Sequence, residues 1–145
     1  MPLNRDERKP EPIIPSMAAP AKRKETVEQA MSGQFAFCFP NTTLAQAARM
    51  MAQNRAYELP VIVDQRCLGY VSYQDILSRY VRGRLSGRAA DILREPLPEV
   101  APDTALEEAV QVLRESGRDL ILIVTDSRMP IGALSARDVA RAMAA

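Results

Sequence analysis

The chain has 145 residues, 47% of them hydrophobic, and carries 19 Lys+Arg against 18 Asp+Glu for a formal charge of +1. That length suits one compact body burying roughly 68–70% of its unfolded surface, and the near-neutral balance supplies no overall field toward nucleic acid or an acidic surface. Histidine is absent, which excludes Ser–His–Asp and Cys–His catalysis and removes the commonest nitrogen ligand for a transition metal.

Residues 1–24 mix Pro2, Pro10, Pro12, Pro15 and Pro20 with charges of both signs and no apolar periodicity, the pattern of a disordered tail. The cluster Lys22, Arg23 and Lys24 reads as a solvated junction. Thr26 with Gln29 makes a capping-box start and Gly33 a stop, predicting a short helix over 26–32, with a counterpart at 89–95. FAFCF at 35–39 alternates Phe35, Phe37 and Phe39 onto one strand face, read as core in preference to a platform for a planar base. Thr43 with Gln46 opens a helix to about residue 54 whose Leu44, Ala47, Ala48 and Met51 share one face. Residues 59–63 and 67–71 form a hairpin, and Ser72 caps a helix to about residue 81. Arg79, Arg82, Arg84 and Arg88, among glycines and serines, mark a solvated linker.

In the second part, Pro98 weakens a strand at 97–100 and suggests an edge position. Thr104 with Glu107 caps a helix that Gly117 ends. Residues 120–124 and 131–134 form a second hairpin, and Ser135 opens a terminal helix to about residue 143. Cys38 and Cys67 lie in apolar stretches without CxxC spacing and read as small buried hydrophobes of a reducing compartment. The apolar runs at 35–39 and 120–124 are too short to cross a bilayer, and the N-terminus lacks a secretory apolar core, so a cytoplasmic location is expected.

The two parts are copies. Pro40, Thr42, Leu44, Ala47, Met51 and Asp64 match Pro102, Thr104, Leu106, Ala109, Leu113 and Asp126 at a spacing of 62, and Gly69, Ser72 and Asp75 match Gly132, Ser135 and Asp138 at 63. Each copy ends in a corner, GYVSYQD at 69–75 and GALSARD at 132–138, where a hydroxyl and a carboxylate three residues apart flank free backbone N–H groups at a helix start. The corner can hold a polar ligand. The same spacing is also a helix cap, worth ~1 kcal/mol with no ligand at all.

The paired stretches PNTTLAQAARMM and PDTALEEAVQVL, LPVIVD and LILIVTD, and the two corners resemble the CBS domain, used in pairs as a Bateman module. The resemblance covers about 26–143 and divides the chain into a tail at 1–24, repeats at 25–82 and 89–145, and a linker at 83–88. It implies an α+β fold: two tandem βαββα units in a pseudo-twofold disk, small sheets packed together with helices outside. It further implies a stand-alone, non-catalytic regulatory module, a homodimer with an unidentified regulated partner, that binds AMP, ADP, ATP or S-adenosylmethionine. By the resemblance, Asp75 and Asp138 accept from the ribose diol, Ser72 and Ser135 meet phosphate, and Gln74 and Arg137 lie close by. Adenine would contact the chain near Phe39, Val100, Tyr57 and Asp119. A ligand-free scaffold docking on an enzyme or transporter is the alternative, and nucleic-acid binding through Lys22 to Lys24 and the linker arginines is disfavoured by the charge balance.

Overall fold

Two antiparallel hairpins form the middle of the molecule, a computed structural model that describes residues 25–83 and 85–144. The expectations for the 1–24 tail, its basic cluster and Arg84 lie outside those residues. Strands β1 (Glu58–Val63) and β2 (Arg66–Ser72) pair with Glu58 opposite Ser72, and β4 (Leu120–Val124) and β5 (Pro130–Ser135) pair with Leu120 opposite Ser135. The registers correspond, because each strand pair is built from one continuous apolar run and one Gly-containing run ending in the corner serine. The turns differ: the first is the tight Asp64–Gln65 pair, both at positive φ, while residues 125–129 make a wider second turn with Arg128 at φ 66°.

The hairpins are apolar on both faces because each is covered twice. Ile62, Cys67, Tyr70, Leu97, Leu122, Val124 and Ala133 come from both halves and form the layer where the sheets meet. On the outer faces, Leu59, Val61 and Val71 pack on Ala47 and Met51 of α2 (Leu44–Asn54) and Ile76 of α3 (Tyr73–Val81), and Ile121, Ile123 and Leu134 pack on Ala109 and Leu113 of α4 (Leu106–Ser116). The terminal helix α5 (Ala136–Ala144) follows the second corner. This is the α+β architecture of two duplicated halves expected from the sequence.

The leading segments are exchanged. Helix α1 (Val27–Ala30) precedes the first half but packs into the second: Val27 is fully buried against Ala109, Leu113 and Ile121, and its N–H donates to the Thr104 carbonyl at 2.8 Å. The 3-10 turn at Ala89–Ile92 does the converse, placing Ala89 in the first core with its N–H on the Thr42 carbonyl at 2.8 Å. Beyond each, the chain crosses the partner half's β-strand. Ser32 and Ala133 exchange both backbone hydrogen bonds, as do Arg94 and Tyr70.

Two expectations need correction. FAFCF is no regular strand: it touches the sheet through one parallel bridge, Cys38 to Val61, and the face turned inward carries Cys38, leaving Phe37 and Phe39 exposed. The Phe37 ring lies tilted against Phe35 and edge-on to Phe39, with centroids 5.9 and 5.7 Å apart. The matching strand β3 (Glu99–Val100) is two residues long and does take the edge position, parallel to β4. Thr104 does not cap α4. The helix starts after Ala105, and the first N–H, on Leu106, goes to the Glu25 carbonyl because the exchanged segment already lies there. Thr43 and Gln46, by contrast, form the reciprocal cap expected of them.

Candidate functional site

The second corner is built around Asp138. Ser135 ends β5 in extended backbone, its Oγ accepts the Asp138 N–H at 3.1 Å, and Oδ2 of Asp138 accepts the Ser135 N–H at 2.9 Å, the two halves of a capping box. The Ser135 hydroxyl adds a donor to Oδ2 at 3.1 Å, and Oδ1 accepts from the Ser32 hydroxyl and from Nη1 of Arg141, each at 2.9 Å. Asp138 is only 5% exposed, and the four donors satisfy both of its oxygens.

A cleft of about 380 Å³ opens beside it, walled by both halves. The first half contributes Ser32, Phe35, Ala36, Arg55, Tyr57 and Glu58, and the second contributes Asp119, Ser135, Arg137, Asp138 and Arg141. Of the residues named from sequence, Asp138, Ser135, Arg137, Tyr57 and Asp119 therefore meet in one place. Ser72, Gln74 and Asp75 lie at the other corner, Phe39 lines a separate open groove along α2, and Val100 sits half-buried in β3. Phe35 and Ala36 line this cleft, whereas Phe39 and Val100 do not.

Arg55, Arg137 and Arg141 give the cleft a cationic border. Arg137 Nη2 donates to the Arg55 carbonyl at 3.0 Å, tying the halves together across the opening. Arg55 ends α2 in left-handed backbone, φ 52° and ψ 43°, where its repeat counterpart is Gly117 at φ 69°. A non-glycine residue in this region costs roughly 1–2 kcal/mol, and such strain concentrates at functional positions.

The floor is acidic. Glu58, 7% exposed, accepts the Asp119 N–H at 2.9 Å and lies 3.3 Å from Arg118, whose guanidinium covers the Tyr70 ring. Burial pushes the Glu58 carboxyl above its ordinary value, against the opposing effect of those donors. Cys38 is inert for a related reason, its thiol being pushed up to about 11 by burial. Sequence reasoning missed Ser32, Phe35, Arg55, Glu58 and Arg141. Only Arg141 had a local signal, three residues after Asp138 on the same helix face.

The first corner differs. Asp75 N–H donates to Ser72 Oγ at 3.2 Å, but the Asp75 carboxylate turns to Arg94, which donates from Nε to Oδ2 at 2.6 Å and from Nη2 to Oδ1 at 2.9 Å.

Comparison with known proteins agrees with this duplicated plan. The CBS domain model matches residues 27–82 and 89–145. A 17.7 kDa protein of Acidianus ambivalens is 27% identical over 105 residues, covering 72% of this chain and 64% of its own. A 33.4 kDa protein of Thermofilum pendens is 23% identical over 137 residues, so the chain spans 86% of itself but 45% of that relative. Among solved structures, the CBS domain pair of protein MJ0100 in complex with 5'-methylthioadenosine and S-adenosyl-L-methionine superposes with a TM-score of 0.70 at 15% identity, over 82% of this chain and 99% of that one. CBSX2 in complex with AMP superposes with a TM-score of 0.70 at 24% identity, over 82% and 96%. With one match in each half of a fold that pairs two small sheets, this chain belongs to the CBS domain family and carries two such domains.

Proposed function

We propose that this CBS-domain pair is a non-catalytic regulatory module that binds an adenosine nucleotide in the Asp138 cleft and thereby modulates a partner protein. The supporting observation is the cleft itself: aromatic residues Phe35 and Tyr57, the Ser135–Asp138 corner and three arginines border one volume shared by both halves. Aromatic side chains suit a base, a serine at a helix start suits phosphate, and arginine suits it further. A ribose diol would exchange with the Ser32 hydroxyl and Arg141 at Oδ1. The cationic border favours AMP, ADP or ATP over the sulfonium cation S-adenosylmethionine. Domain pairs of this family that hold AMP or S-adenosyl-L-methionine give the proposal its precedent.

Isothermal titration with AMP, ADP, ATP and S-adenosylmethionine tests it. A nucleotide at about 100 times its dissociation constant should stabilise the fold by ~2.7 kcal/mol and raise Tm by ~5–10 °C. Absence of heat and of any thermal shift across the panel would remove it.

We further propose a cytoplasmic homodimer joined through α3, whose Leu77, Tyr80 and Val81 are 52%, 68% and 82% exposed. Among the described residues no helix is long and apolar enough to cross a membrane. Sedimentation of Tyr80→Glu should shift the chain from dimer to monomer; a wild-type chain that is monomeric at micromolar concentration would refute the assembly. That exposed face also motivates a second reading, a scaffold that docks on an enzyme or transporter without a ligand. It predicts partner capture undiminished in Asp138→Ala.

A further inference from the structure

Arg94 stands 62 positions after Ser32 and occupies the same place in the other half. Its backbone pairs with Tyr70 as that of Ser32 pairs with Ala133. The residue before each lies over the corner glycine, Leu93 on Gly69 and Met31 on Gly132. The side chains then diverge. Ser32 gives Asp138 one hydroxyl, whereas Arg94 gives Asp75 a bidentate guanidinium.

We propose that Arg94 is an internal occupant of the first corner, holding Asp75 against a ribose so that each chain accepts a single nucleotide, in the Asp138 cleft. This rests on the Asp138 cleft being a nucleotide site. Two parallel N–H groups meeting two carboxylate oxygens reproduce the donor pattern of a vicinal diol, and the positive charge makes the internal contact the stronger of the two. Arg94 is also tethered. Backbone pairing with Tyr70 keeps its side chain at the corner, so a free ligand competes with an intramolecular donor at high effective concentration. The Asp75 carboxyl is held below its usual range, first by the Arg94 hydrogen bond, as an engaged carboxylate should be.

The first corner is also less cationic, so ADP admitted by Arg94→Ser should bind there more weakly than in the Asp138 cleft. The arginines bordering the Asp138 cleft have no counterparts in the first half: Arg55 corresponds to Gly117, Arg137 to Gln74 and Arg141 to Ser78. At the first corner Arg94 is committed to Asp75, and Arg79 also acts on that carboxylate. The pair is partly exposed, with side chains 47% and 25% accessible, so removing it should cost the fold little.

Calorimetric titration of the full chain with ADP tests this in wild type, Arg94→Ser and Arg94→Ser/Asp75→Ala. The serine gives Asp75 the same cross-half hydroxyl that Ser32 gives Asp138; Arg94→Ala serves if that variant melts early. The expected stoichiometry is one ADP per wild-type chain, two for Arg94→Ser, and one again when Asp75 is also removed. Two ADP on the wild type, or one on a folded Arg94→Ser chain, overturns the role of Arg94 and leaves the nucleotide site standing. Loss of about tenfold or more in affinity on Arg94→Ser also overturns it, because Arg94 would then be a phosphate ligand. No heat in wild type or variant overturns the nucleotide site and the occupancy of Asp75 with it.

Discussion

The hydroxyl of Ser32 donates to Oδ1 of Asp138 at 2.9 Å across a sequence separation of 106. It fastens the segment leading into the first half onto the corner that ends the second. Asp138 gathers this donor, the Ser135 N–H and hydroxyl, and Arg141, whereas Asp75 spends both oxygens on one exposed arginine. Bonds to charged groups in buried surroundings contribute ~1.5–3 kcal/mol each, and exposed ion pairs ~0–1 kcal/mol. Asp138→Ala should therefore lower unfolding free energy by about 2–4 kcal/mol, and Asp75→Ala by under about 1 kcal/mol. Urea denaturation at pH 7 measures both, and equal losses would contradict the asymmetry.

The two corner glycines should respond unequally to a methyl group. A Cβ on Gly69 would collide with the Arg94 backbone carbonyl, which is fixed by its pairing with Tyr70. On Gly132 it would meet the Met31 side chain, which can swing aside. Gly69→Ala is expected to cost about 2–3 kcal/mol and Gly132→Ala about 1 kcal/mol or less. Denaturant midpoints of the two variants decide the order.

Arg55→Gly should raise stability while weakening the site. Glycine relieves the left-handed strain and keeps the carbonyl that Arg137 needs, for a gain of ~0.5–1 kcal/mol, yet it removes one guanidinium from the cleft. Melting without ligand should rise by ~2–4 °C and ADP affinity should fall roughly 5–10-fold. A variant that melts no higher, or binds as tightly, would show that Arg55 is not held there for the ligand.

Glu58 and Asp75 should give pH effects of opposite sign. Glu58 is raised by burial: as pH climbs past the ordinary glutamate value near ~4.3, the unfolded chain has released a proton that the native chain retains, so stability falls until the native group also ionises. The Tm of Glu58→Gln should thus gain on wild type as pH rises above about 4. Asp75 is lowered by Arg94, so its contribution is full above the ordinary aspartate value of ~3.9 and disappears as pH falls through the native one. Wild type should lose its advantage over Asp75→Asn in that acid range, and melting curves at stepped pH would expose any other ordering.

Local pattern alone was enough for the duplication, both hairpins, the Thr43–Gln46 cap and the end of α2, because each depends on side-chain period or on residues three or four apart. It also placed a Ser and an Asp at each corner. It misjudged FAFCF, since alternation identifies two faces but does not say which is inward: Cys38 is buried in the core, Phe35 packs on its edge, and Phe37 and Phe39 are exposed. Tertiary structure decided the rest. By exchanging its leading segments, the chain brings Ser32 and Phe35 to the Asp138 cleft and lays Arg94 on Asp75, contacts between residues whose spacing carries no local signal. Two corners that share their Gly, Ser and Asp thus became chemically unlike, because each carboxylate receives a different donor from the opposite half.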